Sequence, residues 1–227
     1  MEGVTSAAAP SDLTALAERA LALAPEGDRA VLGIVGSPGS GKTTLARAIA
    51  DRVDELAGAG TAAHLPMDGF HLANATLDAL GRHDRKGAID TFDGFGFVAL
   101  LRRVHAETGN TVYAPAFERT VDEPVAGSIP IPPATRLIVA EGNYLLVDQE
   151  PWSRIRSLLA ESWFVATPEE ERLRRLVDRH TRHGRTVEAA TAWARDVDGA
   201  NAVLIEASRG RATLVVDGTT GLTGSRG

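Results

Sequence analysis

The sequence predicts an α/β domain in three layers, with helices on both faces of a mostly parallel central sheet. Two continuous apolar runs, Ala30-Val31-Leu32-Gly33-Ile34-Val35 and Leu137-Ile138-Val139-Ala140, have the composition of strands buried on both faces. Between such runs lie longer stretches with apolar residues at helical spacing, so strand and helix alternate along the chain. The 227 residues, 44% of them hydrophobic, suffice for one sizeable core. There is no cysteine, so the core is held by neither disulfides nor thiolate-bound metal.

Taken in order, Pro10-Ser11-Asp12 reads as a helix start, and Leu13, Leu16, Ala17, Ala20, Leu21 and Ala24 continue at helical spacing to Pro25-Glu26-Gly27. The strand at 30–35 is followed by a Gly-rich loop and a helix from Thr44 to Leu56, closed by Gly58. A second strand, Ala62 to Pro66, leads into Met67-Asp68-Gly69-Phe70-His71. The polar, Gly-containing stretch 77–96 predicts a loop region with little core of its own. Helical spacing returns at Phe97 to Glu107, Thr111 to Phe117 is strand-like, and the proline-rich 122–133 predicts a connection. After the strand at 137–140 come a helix at 152–160 and a strand at 162–166. Thr167-Pro168-Glu169-Glu170 combines a cap, a proline and two acids, the signature of a helix start. That helix runs to about His183 and breaks at Gly184; a second occupies 187–207, and a last strand 212–216. The expected organisation is an N-terminal tail and helix (1–28), a main domain (29–217) with a lid at about 168–186, and a loose Gly/Thr/Ser-rich tail (218–227).

Lysine plus arginine number 24 against 30 for aspartate plus glutamate, a net charge of −6. A mildly acidic chain is poorly suited to coat nucleic acid or anionic lipid, so neither is an expected partner. Met1 to Pro10 has neither basic residue nor apolar core, and no apolar run approaches the roughly 20 residues needed to span a bilayer. A cytoplasmic protein is expected.

Gly36-Ser37-Pro38-Gly39-Ser40-Gly41-Lys42-Thr43 fits G-x-x-x-x-G-K-[ST] in full, between a predicted strand and a predicted helix. The glycines let main-chain N–H groups converge on phosphate oxygens, and the helix N-terminus adds a positive dipole end. The motif marks a P-loop NTPase-type fold in which residues 36–43 and Thr44 cradle a nucleotide. Lys42 reaches the terminal phosphates and Thr43 ligates Mg²⁺. The strand at 137–140 delivers Glu141, followed by Gly142, to the metal side, unless it is an ordinary strand-end acid in solvent. ATP and Mg²⁺ are the expected cofactors.

Phosphoryl transfer to an alcohol also needs a carboxylate aimed at the acceptor. Asp68 lies just past the second strand, beyond the carboxyl edge of the sheet where ligands collect, and is the candidate base. Asp68-Gly69 also reads as a simple turn.

Met67-Asp68-Gly69-Phe70-His71, Arg85-Lys86-Gly87, Thr91-Phe92-Asp93, Tyr113-Ala114-Pro115-Ala116-Phe117 and Glu141-Gly142-Asn143-Tyr144 together resemble the uridine kinase, phosphoribulokinase and bacterial pantothenate kinase group. Within it the chain looks most like nucleoside/nucleotide kinase family, or fructose transport system kinase, proteins. The resemblance covers about Ala30 to Asp217 and implies Asp68 as catalytic base and Glu141 near the metal. Where the better-known members carry Tyr-Ser-His or Tyr-Asp substrate signatures, Ala116-Phe117-Glu118-Arg119 stands here, so neither named substrate carries over.

His71, Arg85, Lys86, Asp93, Tyr113 and Arg119 are the polar groups of the acceptor half, able to hydrogen-bond a nucleoside, sugar or small acid. Glu169 to Arg185 is arginine-rich. Glu170 with Arg174 and Glu171 with Arg175 are spaced as i,i+4 pairs, so Arg172 and Arg174 are expected on a solvated face. Arg179, Arg182 and Arg185 lie beyond those acids, and unpaired arginines on a flap suit closure over a triphosphate, with Arg179 and Arg185 acting on the transferred phosphoryl and Arg182 on the nucleotide. The resemblance supports a lid here, with Arg179 and Arg185 at matching positions. Trp193 and Asn201 also match the group.

The function expected is ATP-dependent phosphorylation of a hydroxyl on a small metabolite. The alternative is a regulatory NTPase switch: Asp93-Gly94-Phe95-Gly96 fits D-x-x-G, although no Asn-Lys-x-Asp motif accompanies it. A nucleotide-binding module without catalysis is disfavoured by intact Lys42, Thr43, Asp68 and Glu141. Two-fold homodimers are the commonest assemblies of soluble enzymes, which makes a homodimer the default expectation.

Overall fold

A computed structural model describes residues 12–219. Residues 1–11, with the start of the expected N-terminal segment, and 220–227 of the expected tail 218–227 lie outside this range.

Chain order is α1 (Leu13–Ala22), β1 (Ala30–Val35), α2 (Lys42–Ala57), β2 (Ala62–Pro66), α3 (Asn74–Leu80), α4 (Gly94–Ala106), β3 (Val112–Glu118), β4 (Glu123–Ile131), β5 (Leu137–Gly142), β6 (Glu161–Ala166), α5 (Glu169–Arg182), α6 (Val187–Glu206) and β7 (Leu214–Asp217). Five strands form a parallel sheet in the order β2-β5-β1-β6-β7. The central strands β1 and β5 are buried along their whole length, because helices cover both faces. On one face α1 and α2 pack Leu16, Ala20, Leu45, Ile49 and Val53 against Leu32, Ile34 and Trp163. On the other, α4 contributes Phe97, Leu101 and Val104 to a core with Val31, Ile138, Phe164 and Tyr144.

α1 is tied in by polar contacts as well. Arg19 makes a bidentate pair with Glu161 at 3.0 Å, and Trp163 Nε1 donates to the same carboxylate at 2.6 Å. Arg29 donates to the carbonyls of Thr135 (2.8 Å), Val104 (3.1 Å) and Pro132 (2.8 Å), joining the ends of three segments.

Four expectations need correction. The stretch 77–96 is not a coreless loop: it contains the end of α3, two 3-10 turns and the start of α4, and Leu77, Thr91 and Phe92 are buried. The proline-rich 122–133 is not a mere connection, since β4 pairs antiparallel with β3 in a separate two-stranded sheet. A two-stranded ribbon leaves one edge of each strand unpaired, where proline's missing N–H costs nothing. Residues 152–160 form two short 3-10 turns rather than a helix. The predicted Glu170–Arg174 pair is replaced by Glu171 bonding both Arg174 and Arg175 at 2.7 Å. No helix among the described residues is long and apolar enough to cross a membrane.

Candidate active site

The parallel register brings the ends of β1, β5 and β2 level: Val35 pairs with Gly142 and Pro66 with Glu141. The chain leaves β1 into the loop 36–41 and enters α2 at Lys42. Gly39 and Gly41 adopt positive φ (79° and 94°). At Gly39 a Cβ would stand 2.6 Å from the Arg172 carbonyl oxygen, so the loop both needs the left-handed conformation and has no room for a side chain. No side chain caps α2, which leaves its N-terminal dipole open to an anion.

The loop is held from outside by its carbonyls. Thr167 Oγ1 donates to Ser40 O at 2.8 Å, Arg172 Nη1 to Pro38 O at 3.3 Å, and Arg175 Nη1 to Gly39 O and Ser40 O at 3.4 and 3.3 Å. Ser37, fully buried, donates its hydroxyl to Glu206 at the end of α6 across 2.6 Å. Arg172 therefore lies buried against the loop, not on the solvated face expected for it. Its helical position faces β1's exit rather than the acids of its own first turn. Arg174 is exposed as expected.

On the metal side, Thr43 Oγ1 donates to Glu141 Oε1 at 3.0 Å, and Glu141 is buried. A hydroxyl and a carboxylate are hard oxygen donors, and Mg²⁺ characteristically takes one or two of these, keeping waters and phosphate oxygens for the rest. No cluster of three His, Cys, Asp or Glu suited to a metal occurs among the described residues. The donor set thus fits a nucleotide-borne Mg²⁺ rather than a dedicated all-protein site.

A cleft of about 520 Å³ opens in front of the loop. It is lined by Pro38 and Lys42 from the loop, Asp68 and His71 after β2, Lys86, Phe117 and Arg119 around the β3–β4 hairpin, Asn143 after β5, and Arg179, His180, Arg185, Trp193, Asp198 and Asn201 from α5, α6 and their connection. Asp68 stands on a 3-10 turn whose next residue, Gly69, packs against the Pro115 carbonyl so closely that any Cβ would overlap it. The hairpin is thereby seated beside the acid. Burial lowers the Lys42 pKa, while the charges of Glu141 and Asp68 oppose that fall. Arg179 adds positive charge from α5 near the same ammonium.

The acceptor half is aromatic and basic. His71 lies between Phe92 and Phe117, with ring centroids 4.0 and 4.8 Å away. Its Nδ1 is 2.8 Å from the Asp68 carbonyl oxygen, which can only accept, so Nδ1 carries the proton and Nε2 is an acceptor in the neutral ring. Burial lowers its pKa, against an opposing pull from Asp68. Lys86 Nζ donates to Asp122 and Asn74 and lies 5.0 Å from the Phe117 ring. Tyr144 and Asn201 both donate to the Gly87 carbonyl, at 2.6 and 3.3 Å, fixing the Lys86-Gly87 turn. Arg185 stacks on Trp193 at 4.1 Å, and His180 Nε2 meets Asp198 at 2.9 Å.

Of the residues singled out from sequence, Lys42, Asp68, His71, Lys86, Arg119, Arg179 and Arg185 share this cleft, while Thr43 and Glu141 meet at its metal side. Arg85, Asp93, Tyr113 and Arg182 do not line it. Arg85 pairs with Asp90 at 2.8 Å, Arg182 pairs with Asp178 on the exposed side of α5, and Tyr113 is exposed on β3. Asp93 caps α4 by accepting from Gly96 N at 2.8 Å, which also accounts for the D-x-x-G pattern as a helix start. Sequence reasoning missed Asn143, His180 and Asp198 in the cleft, and Thr167, Arg175 and Glu206 behind the loop. Asn143 carried a signal, two positions past Glu141 in a matched motif. Asp198 and His180 are 18 residues apart and meet only because α5 and α6 pack together.

Residues 31–219 match the sequence profile of the Phosphoribulokinase / Uridine kinase family. The chain is 33% identical over 194 residues to the protein YggC of Escherichia coli K12, covering 84% of this chain and 78% of that one. It is 37% identical over 142 residues to C227.14 of Schizosaccharomyces pombe, named as a candidate uridine kinase; the match covers 61% of this chain and 60% of that protein, under two thirds of its length. Among solved structures, a protein of Silicibacter sp. TM1040 described as a candidate fructose transport system kinase superposes with a TM-score of 0.81 at 36% identity, covering 90% of this chain and 98% of that one.

Proposed function

Because the chain belongs to the Phosphoribulokinase / Uridine kinase family, we propose that it transfers the γ-phosphoryl group of ATP to a hydroxyl of a small metabolite. The observation that carries this reading is the placement of Asp68, Lys42 and Arg179 around one cleft at the mouth of the phosphate loop. A bare nucleotide-binding module needs no acid across from its lysine.

In this reading the loop N–H groups and Lys42 bind the phosphates and orient the terminal one. Thr43 and Glu141 would hold Mg²⁺, which would supply neutralisation of phosphate charge. Asp68 accepts a hydrogen bond from the acceptor hydroxyl and takes its proton as the new oxygen–phosphorus bond forms; the bond to the β-phosphate oxygen breaks and ADP leaves. Lys42, Arg179 and Arg185 offset charge developing on the transferred group. Arg185, stacked on Trp193, lines the same cleft, and the end of α5 with the connection to α6 would act as a lid excluding water. Phe92, Phe117, His71, Lys86 and Arg119 form the wall against which the acceptor rests.

The test is ADP release with and without a panel of nucleosides, ketoses, pantothenate and sugar acids, with phosphorylated product identified by mass. A kinase shows acceptor-dependent turnover. Turnover indifferent to every hydroxyl compound supports the switch reading instead.

A further inference from the structure

Among the described residues, four buried side-chain polar atoms lack a hydrogen-bond partner: Ser40 Oγ, His64 Nε2, Asn143 Oδ1 and Arg172 Nε. Ser40 and Arg172 belong to the phosphate loop and its support, and Asn143 lines the cleft. His64 has no place in the reaction described above. It sits in the interior of β2, paired with Val139 of β5, two positions before the Pro66–Glu141 pair. Its Nε2 lies 3.7 Å from Glu141 Oε1, the same oxygen that accepts the Thr43 hydroxyl, and the two side chains are 16% and 4% exposed.

An unpaired imidazole nitrogen in a strand interior is destabilising, and an apolar residue would serve the sheet better. Stability therefore does not account for a histidine here. Its position does: His64 approaches the same Glu141 oxygen that accepts the Thr43 hydroxyl, on a carboxylate whose charge also acts on Lys42. The separation is about half an ångström beyond hydrogen-bond reach, a gap that a small side-chain adjustment closes.

We propose that His64 is a positioning residue for the metal side of the site. With nucleotide and cation bound, its Nε2–H donates to Glu141 Oε1 and stops the carboxylate from rotating. The remaining lone pairs of Glu141 then face the hydrated cation. Groups that orient metal-side ligands in this way typically matter 10- to 100-fold in metal affinity or activity.

The inference rests on the reading of Glu141 as metal-side acid, so the experiment includes both residues. The full chain is melted with ADP across a MgCl₂ titration, and Mn²⁺ binding in the presence of ADP is followed by electron paramagnetic resonance. His64→Leu is expected to raise the half-saturating Mg²⁺ concentration about tenfold, while leaving the metal-free ADP response and the ligand-free Tm no lower than in the parent. His64→Gln, whose amide nitrogen occupies nearly the same place as Nε2, restores most of the metal response. Unchanged Mg²⁺ dependence in His64→Leu, or a His64→Gln as impaired as His64→Leu, overturns the proposal. Should the leucine variant not fold, His64→Asn, too short to reach Glu141, takes its place in the comparison with glutamine. Glu141→Gln separates the two ideas. If it shifts the Mg²⁺ dependence and the His64 variants do not, only the role of His64 fails; if it shifts nothing, the reading of Glu141 fails as well.

Discussion

Thr43 and Glu141 are joined by a 3.0 Å hydrogen bond from hydroxyl to buried carboxylate, although 98 residues separate them. One opens the helix after the phosphate loop and the other lies near the end of the neighbouring strand, so the parallel register of β1 and β5 brings them together. Thr43→Val keeps the shape and removes the hydroxyl. It is expected to lower affinity for Mg²⁺ in the presence of nucleotide by about 10- to 100-fold, whereas Thr43→Ser stays near the parent. A Mg²⁺ titration of ADP-dependent melting checks both.

Asp68→Asn removes the proposed proton acceptor and keeps the size of the side chain. Phosphoryl transfer should fall by roughly 10²-fold or more, with ATP affinity nearly intact because the asparagine lies across the cleft from the loop. Single-turnover transfer and equilibrium nucleotide binding measure the two effects separately. Retention of most of the rate would show that another group takes the proton.

Arg175 grips the loop from behind through the carbonyls of Gly39 and Ser40, and reaches Gly218 at 3.1 Å. Arg175→Ala loosens a preorganised cradle without touching the acceptor side. Because these bonds are long, the expected cost is about 1 kcal/mol, or roughly a fivefold weaker nucleotide Kd. Calorimetric titration with ADP reads it, and acceptor KM should not change.

Arg29 is a stability residue remote from the cleft. Replacing it with alanine leaves the carbonyls of Thr135, Val104 and Pro132 without their charged donor. A loss of about 2 kcal/mol is expected, equivalent to a Tm lower by roughly 4–8 °C for a domain of this size. Turnover at low temperature should be close to the parent's.

His71 makes stability depend on pH. Burial holds its pKa below the ordinary 6.5, so between that lowered value and 6.5 the unfolded chain binds a proton that the folded ring refuses. Stability is lost as pH falls through this window and regained as it rises. His71→Asn, which keeps a donor near Nδ1, should flatten the fall in Tm between neutral and mildly acidic pH. An unaltered slope would assign the acid sensitivity to other groups.

The β1–loop–α2 unit could be read in advance from local signals, whereas Asp68, equally readable as a turn residue, was singled out by the family resemblance. Strand ends, glycines and helix starts are local signals, and a phosphate loop is written in eight consecutive residues, even though distant side chains hold its carbonyls. The same logic placed the starts of α1 and α5, but Thr167, read as the cap of α5, instead donates to Ser40 O, and Pro168 takes the cap position with no side-chain bond.

Other assignments depended on neighbours far along the chain. Nothing local told Asp93, a cap for α4, from an acceptor-binding acid, or Arg172, buried against Pro38, from the exposed Arg174 two positions later. The β4 strand looked like a proline-rich connection because its pairing partner, not its own composition, makes it a strand. His64 reads as an ordinary strand residue until β2 is laid beside β5 and its ring meets Glu141. Local chemistry chose the phosphate cradle. Which polar side chains converge on it was settled by strand order and helix packing, because hydrogen-bond reach is a few ångströms and is blind to distance along the chain.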